Sequence, residues 1–338
     1  MSAIEEIASQ APAVDAVPKR AMTLSSGTTF VVVLLLLVVP LFVKNFIIFQ
    51  MTMLLIYGLA VLALNILTGG SGQFSLGNSA FYAVGAYTSA ILMEQYNVNY
   101  ALTLPVAGVI CFGFGFLFGQ PALRLSGVYL ALATFALATA MPQILKLGFF
   151  EHWTGGVQGL VVTKPDAPFG LPMSQDMWLY YFTLAITIAI YIFSVNLLRS
   201  RSGRAFMAIR DNEIAASAMG IDVATYKTLA FGVSAGITGV AGGLGAIAVQ
   251  FVAPDSYTIV LAISLFLGMV VGGVGWLPGS FVGAAFIIFV PNIAEGISKG
   301  LSGAVFGVLL FLVIFLVPHG ARQVAMVAQQ LLGKLRKN

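Results

Sequence analysis

The chain of 338 residues is 59% hydrophobic and 8% charged, with a mean hydropathy of +0.98. A soluble domain of that size could not hide so much apolar surface from water, so the composition assigns the chain to a lipid bilayer. The net charge of +4 gathers near the ends of apolar runs, which reads as membrane orientation and not as nucleic-acid binding. One cysteine, Cys111, excludes a disulfide framework, and with two histidines it leaves little to build a zinc or haem site from.

Residues 1–20 are polar and rich in small residues, which predicts a flexible cytoplasmic tail. A membrane-crossing helix needs about 20 apolar residues. Runs free of Asp, Glu, Lys and Arg cover 21–43, 45–93, 95–123, 125–145, 177–198, 228–254, 256–294 and 300–321. Two of them, 45–93 and 256–294, are long enough for two crossings each, dividing near Gly69-Gly70 and Gly272-Gly273. The expected fold is therefore an all-α membrane protein of about ten transmembrane helices over 21–321, with eight helices plus re-entrant segments as the alternative. Trp178, Tyr180 and Tyr181 open one span as an interfacial aromatic belt would. Residues 322–338 form a basic cytoplasmic tail.

Ten spans put Lys19, Arg20, Arg124, the bases of residues 199–227, Arg322, Lys334, Arg336 and Lys337 on one side, and Lys44, Lys146, Lys164 and Lys299 on the other. The excess of lysine and arginine on the first side makes it cytoplasmic, with both termini there.

Residues 199–227 (RSRSGRAFMAIRDNEIAASAMGIDVATYK) are the polar insert of an otherwise apolar chain. Ser202 can cap one short helix and Asp211 or Asn212 a second, with Gly220 ending it. Such an insert is either a solvated loop that orients the protein or a docking surface. Gly232, Gly236, Gly239 and Gly243 recur at helical spacing and form a smooth face, suited to packing or to a sliding seam.

A second polar stretch, LTGGSGQFSLGNSAFYAVGAY (67–87), sets Gly69, Gly70, Gly72, Gln73, Ser75 and Gly77 between apolar stretches. It is either a tight turn at the surface or a helix break lining the translocation pathway, because non-helical backbone persists at membrane depth only inside protein or beside a wet cavity. Gly272 and Gly273 repeat the pattern loosely.

No G-x-x-x-x-G-K-[ST] motif occurs, so the chain carries no P-loop of its own. No H-E-x-x-H or G-x-S-x-G points to an enzyme, and no carboxylate falls in mid-span to couple transport to an ion.

Four segments besides the insert, LTGGSGQFSLGNSAFYAVGAY, RLSGVYLALATFALA (124–138), TGGVQGL (154–160) and GMVVGGVGWLPGSFVGAAF (268–286), resemble the longer permease subunit of branched-chain amino acid ABC importers from about residue 45 to 320. The resemblance implies that Gly203, Arg204, Ala205, Arg210, Glu213, Ala216 and Gly220 belong to ATPase-coupling helices. It also implies a multi-pass protein of the inner membrane that works by alternating access. Its partners would be a second permease subunit, two ATP-binding cassette subunits and an external substrate-binding protein. No cofactor would be bound by this chain. Related permeases serve urea, amides or aromatic acids, and an ion-coupled secondary carrier is the remaining alternative.

Overall fold

The computed structural model describes residues 34–122, 125, 127–167, 173–297, 307, 308 and 321. The expected tails, 1–20 and 322–338, lie outside the described residues, as do Arg124, Lys299, the start of the first expected span and nearly all of the last.

The helices are α1 (Asn45–Asn65), α2 (Asn78–Glu94), α3 (Tyr100–Ala122), α4 (Val128–Leu145), the short α5 (Gly148–Thr154), α6 (Gln175–Arg199), α7 (Arg201–Asp211), α8 (Glu213–Ala218), α9 (Val223–Val249), α10 (Ile259–Gly272) and α11 (Gly279–Ile297). Two two-residue strands, β1 (Leu160–Val161) and β2 (Phe251–Val252), pair antiparallel with Leu160 opposite Val252. Among the described residues six helical stretches, not ten, are long and apolar enough to cross a membrane: 45–70, 100–121, 128–145, 175–199, 223–249 and 254–272. Of the other four expected spans, 21–43 and 300–321 lie largely outside the described residues, while α2, 17 residues long and beginning inside the bundle, and α11, apolar over Gly279–Ile293, are shorter than a full crossing.

Helix α9 is the axis, with 18 of its 27 residues buried, and α1, α2 and α3 pack around it. Its glycines explain the closeness. A methyl group at Gly236 would stand 3.1 Å from the Gly108 carbonyl oxygen, and one at Gly242 would run into the Tyr82 carbonyl. Lipid supplies no hydrophobic drive between helices, so close backbone approach is what dispersion needs. The glycine face is thus a packed seam against α2 and α3.

The two ends of the bundle differ. At the end away from the insert, Lys146 pairs with Asp255 at 2.6 Å and Lys164 with Asp176 at 2.5 Å, while Glu94 accepts from Thr163 N at 2.9 Å. The aromatic residues expected as an interfacial belt also hydrogen-bond within the protein. Trp178 Nε1 donates to the Tyr100 hydroxyl, and the Tyr180 and Tyr181 hydroxyls donate to the Leu36 and Leu37 carbonyls. At the insert end, Ser200 (not Ser202) caps α7 by accepting from Gly203 N, and Asn212 caps α8 by accepting from Ala215 N at 3.0 Å. Gly220, at φ +83°, takes the left-handed position after α8. Asp222 caps α9, and the Thr225 hydroxyl and N–H hold its carboxyl below the usual range.

Candidate functional site

Three segments meet at the insert end: the break after α1, the glycine turn after α10, and the α7–α8 pair. The break begins as a five-residue π-helical turn, Ile66–Gly70. Gly72, at φ +74°, then redirects the chain, a conformation that costs glycine little and any residue with a Cβ much more. From Gln73 to Asn78 the backbone runs beside α9. Gln73 Nε2 donates to the Lys227 carbonyl at 3.1 Å, and Asn78 Nδ2 to the Thr238 hydroxyl at 3.3 Å. Eleven residues of α9 separate those partners, roughly 16 Å of helix, which five nearly extended residues can just span. So this is a helix break deep in the bundle and not a surface turn.

Burial alternates along it: Gln73, Ser75 and Gly77 face inward, while Phe74 is 48% exposed. The inward polar side chains satisfy the broken backbone. Thr68 Oγ1 donates to the Gln73 carbonyl, Ser71 Oγ to the Leu67 carbonyl, and Ser75 Oγ accepts from Gly77 N. Thr134 Oγ1, from α4, accepts from Leu76 N at 2.9 Å. Backbone groups buried without such partners would cost several kcal/mol in lipid. These polar residues therefore hold the break in place first, whatever else they do.

Asn65 ties the second turn to the first. Its Oδ1 accepts from Gly275 N at 2.7 Å, and its Nδ2 faces the Gly273 and Trp276 carbonyls and the Ser280 hydroxyl at 3.1–3.4 Å. It is 2% exposed, a lone amide among aliphatic neighbours. Gly273 thus stands beside the break, whereas Gly272 serves the close α10–α11 hairpin against Gly279. The structure brings both glycine clusters of the sequence into one place.

The α7–α8 pair leans on this assembly through Arg210. Its Nη1 donates to the Gly69 carbonyl at 2.8 Å, its Nε and Nη2 to Asp211 Oδ1, and its stem lies over Gly72. Lys227 Nζ meets Glu213 Oε2 at 2.6 Å. Gly203, Ala205 and Ala216 are buried toward the bundle, Gly203 against the Leu197 and Leu198 backbone. Arg204 stays at the surface and donates to the Arg199 carbonyl. Away from the bundle the pair presents Ile214 and Met219, 83% and 84% exposed. Between the pair, the break and the start of α4 lies a cavity of about 240 Å³.

Asn65, Thr134, Ile214 and Met219 were not singled out in the sequence. A solitary amide inside a 20-residue apolar run was the one available signal for Asn65. Nothing in the sequence distinguishes Ile214 or Met219 from core residues.

The profile of the family described as "Branched-chain amino acid transport system / permease component" matches residues 46–317. The chain belongs to that family. It is 34% identical over 288 residues to the high-affinity branched-chain amino acid transport system permease protein LivM of Escherichia coli (strain K12), covering 76% of this chain and 67% of LivM. To the LivM of Salmonella typhimurium it is 35% identical over 247 residues, 66% of this chain and 58% of that protein. The chain thus spans about three fifths to two thirds of these relatives' length. It is also 28% identical to the autoinducer 2 import system permease protein LsrC of Escherichia coli O157:H7, over 75% of this chain and 72% of LsrC. No solved structure matches it. Family and apolar helices together make this a multi-pass membrane protein.

Proposed function

We propose that this family member is the transmembrane permease subunit of an ATP-driven importer of branched-chain amino acids, working by alternating access. The observation that carries the reading is the link from Arg210 to the Gly69 carbonyl, because it ties the exposed α7–α8 pair to the helix break that follows α1. On this reading the insert end is cytoplasmic, and Ile214 and Met219 seat the pair on an ATPase subunit. Force applied there reaches the break through Arg210 and the second glycine turn through Asn65. The sequence carries no P-loop, so on this reading two ATP-binding cassette subunits supply hydrolysis, with a second permease and an external binding protein completing the complex. The likeness to LivM supports branched-chain amino acids as cargo, while the likeness to LsrC, an autoinducer 2 permease, supports the second reading of a different small polar solute.

The test is a gentle-detergent pull-down of the tagged chain from its native membranes, with the co-purifying subunits identified by mass spectrometry. Two cassette ATPases and a second permease are expected, and the accompanying binding protein should bind leucine, isoleucine or valine. A chain that comes down alone and transports alone would contradict the reading.

A further inference from the structure

The half-open cavity of about 240 Å³ at the insert end lies between Ser71–Gln73 of the break on one side and Arg210–Glu213 on the other, with Lys227 between them and Leu125, Leu130 and Ile209 along the wall. It is small beside the ~300–1,000 Å³ of ordinary ligand pockets, too small for a nucleotide and suited to a solute of few heavy atoms. Its charges are balanced and already paired, Arg210 with Asp211 and Lys227 with Glu213. An ion of one sign entering there would draw one member of a pair to itself and leave the other without its partner. A zwitterion would not, since its carboxylate can take N–H groups of Arg210 and Lys227 while its ammonium takes the carboxylates of Asp211 and Glu213. Both cations have donors to spare, because the Lys227 ammonium has three N–H groups and the guanidinium five. Beside these charges the leucine and isoleucine wall offers an apolar surface to a side chain.

We infer that this cavity is a cytoplasm-facing binding site for a free α-amino acid with an apolar side chain, and that its occupant slows the transport cycle. The inference rests on the importer reading above. One wall belongs to the break and the other to the α7–α8 pair, so an occupant bridging them favours the conformation in which the two are this close. A ligand that binds one state better than another shifts the equilibrium toward it. Imported amino acid accumulating in the cytoplasm thereby restrains further import at the permease itself.

The test uses the complete importer complex in nanodiscs and a leucine analogue carrying a diazirine. Without ATP, irradiation should label peptides containing residues 71–73, 125–130 or 209–213. Leucine should compete the label away, and N-acetylleucine amide, which lacks both charges, should not. Without binding protein, leucine should also lower ATP hydrolysis, and Leu125→Trp, which fills the cavity from its rim, should move that inhibition to roughly tenfold higher leucine, the equivalent of about one hydrogen bond lost to a charged group. The labelling of the unaltered complex stands whether or not the tryptophan variant assembles. Label confined to other peptides, or indifferent to leucine, in a complex that takes up leucine would overturn the site and leave the importer reading intact. A complex that takes up some other solute and no branched-chain amino acid would overturn both.

Discussion

Asn65 makes more long-range hydrogen bonds than any other side chain in the helix break, and its deletion is correspondingly informative. Asn65→Ala would strand the Gly275 N–H, while the Gly273 and Trp276 carbonyls keep the N–H groups of Trp276 and Gly279, at a cost of about 1–3 kcal/mol. A melting curve in detergent should show a fall in Tm of several degrees. Asn65→Asp should be worse, because a buried carboxylate would face two carbonyl oxygens. The neighbouring glycines can be told apart in the same assay. A methyl group at Gly69 would sit 2.5 Å from Gly275 N and 2.7 Å from its Cα, backbone that cannot step aside. At Gly70 it would meet only the Leu198 Cδ2 methyl at 3.3 Å, the movable tip of a side chain. Gly69→Ala should therefore cost about 1–3 kcal/mol by overpacking and abolish uptake, whereas Gly70→Ala should behave like the parent. Equal behaviour of the two would remove the Gly69–Gly275 contact from the account.

Among the elements, the α7–α8 pair carries the coupling argument, and Arg210 is where it touches the break. Arg210→Lys keeps the charge and loses the fork that spans the Gly69 carbonyl and Asp211. A hydrogen bond to a charged group contributes about 1.5–3 kcal/mol, so uptake should fall roughly tenfold or more while ATP hydrolysis by the assembled complex continues. Parallel assays of leucine uptake and phosphate release check this; equal loss of both would make Arg210 a folding residue only. Much of this element-level picture was legible in the sequence. The polar insert and the two glycine clusters stood out against apolar surroundings, because a bilayer tolerates such residues only where they serve a purpose. The capping residue was missed by two positions, since Ser200 and Ser202 have the same chemistry and only the bend after Arg199 selects between them. The second half of the apolar run 45–93 forms only a 17-residue helix, α2, which starts beside the middle of α9, a shortening that hydropathy does not reveal. Proximity of Gly69 to Gly275, 206 residues apart, is a product of tertiary packing that no local pattern encodes.

At the scale of the whole molecule, α9 is the packed axis, and on the importer reading proposed above the breaks beside it are the parts that move. Its glycine seam against α2 and α3 is tight, whereas the two glycine turns at the insert end are held by side-chain hydrogen bonds that can be exchanged one at a time. On that reading the arrangement would transmit a push from one end of the bundle without dismantling its core. The claim that the push comes from ATP is tested most directly by leucine uptake into proteoliposomes holding the co-purified complex, with ATP enclosed and binding protein outside. Uptake that requires both and stops with vanadate is the predicted result. Uptake by this chain alone, driven by an ion gradient and indifferent to vanadate, would contradict it.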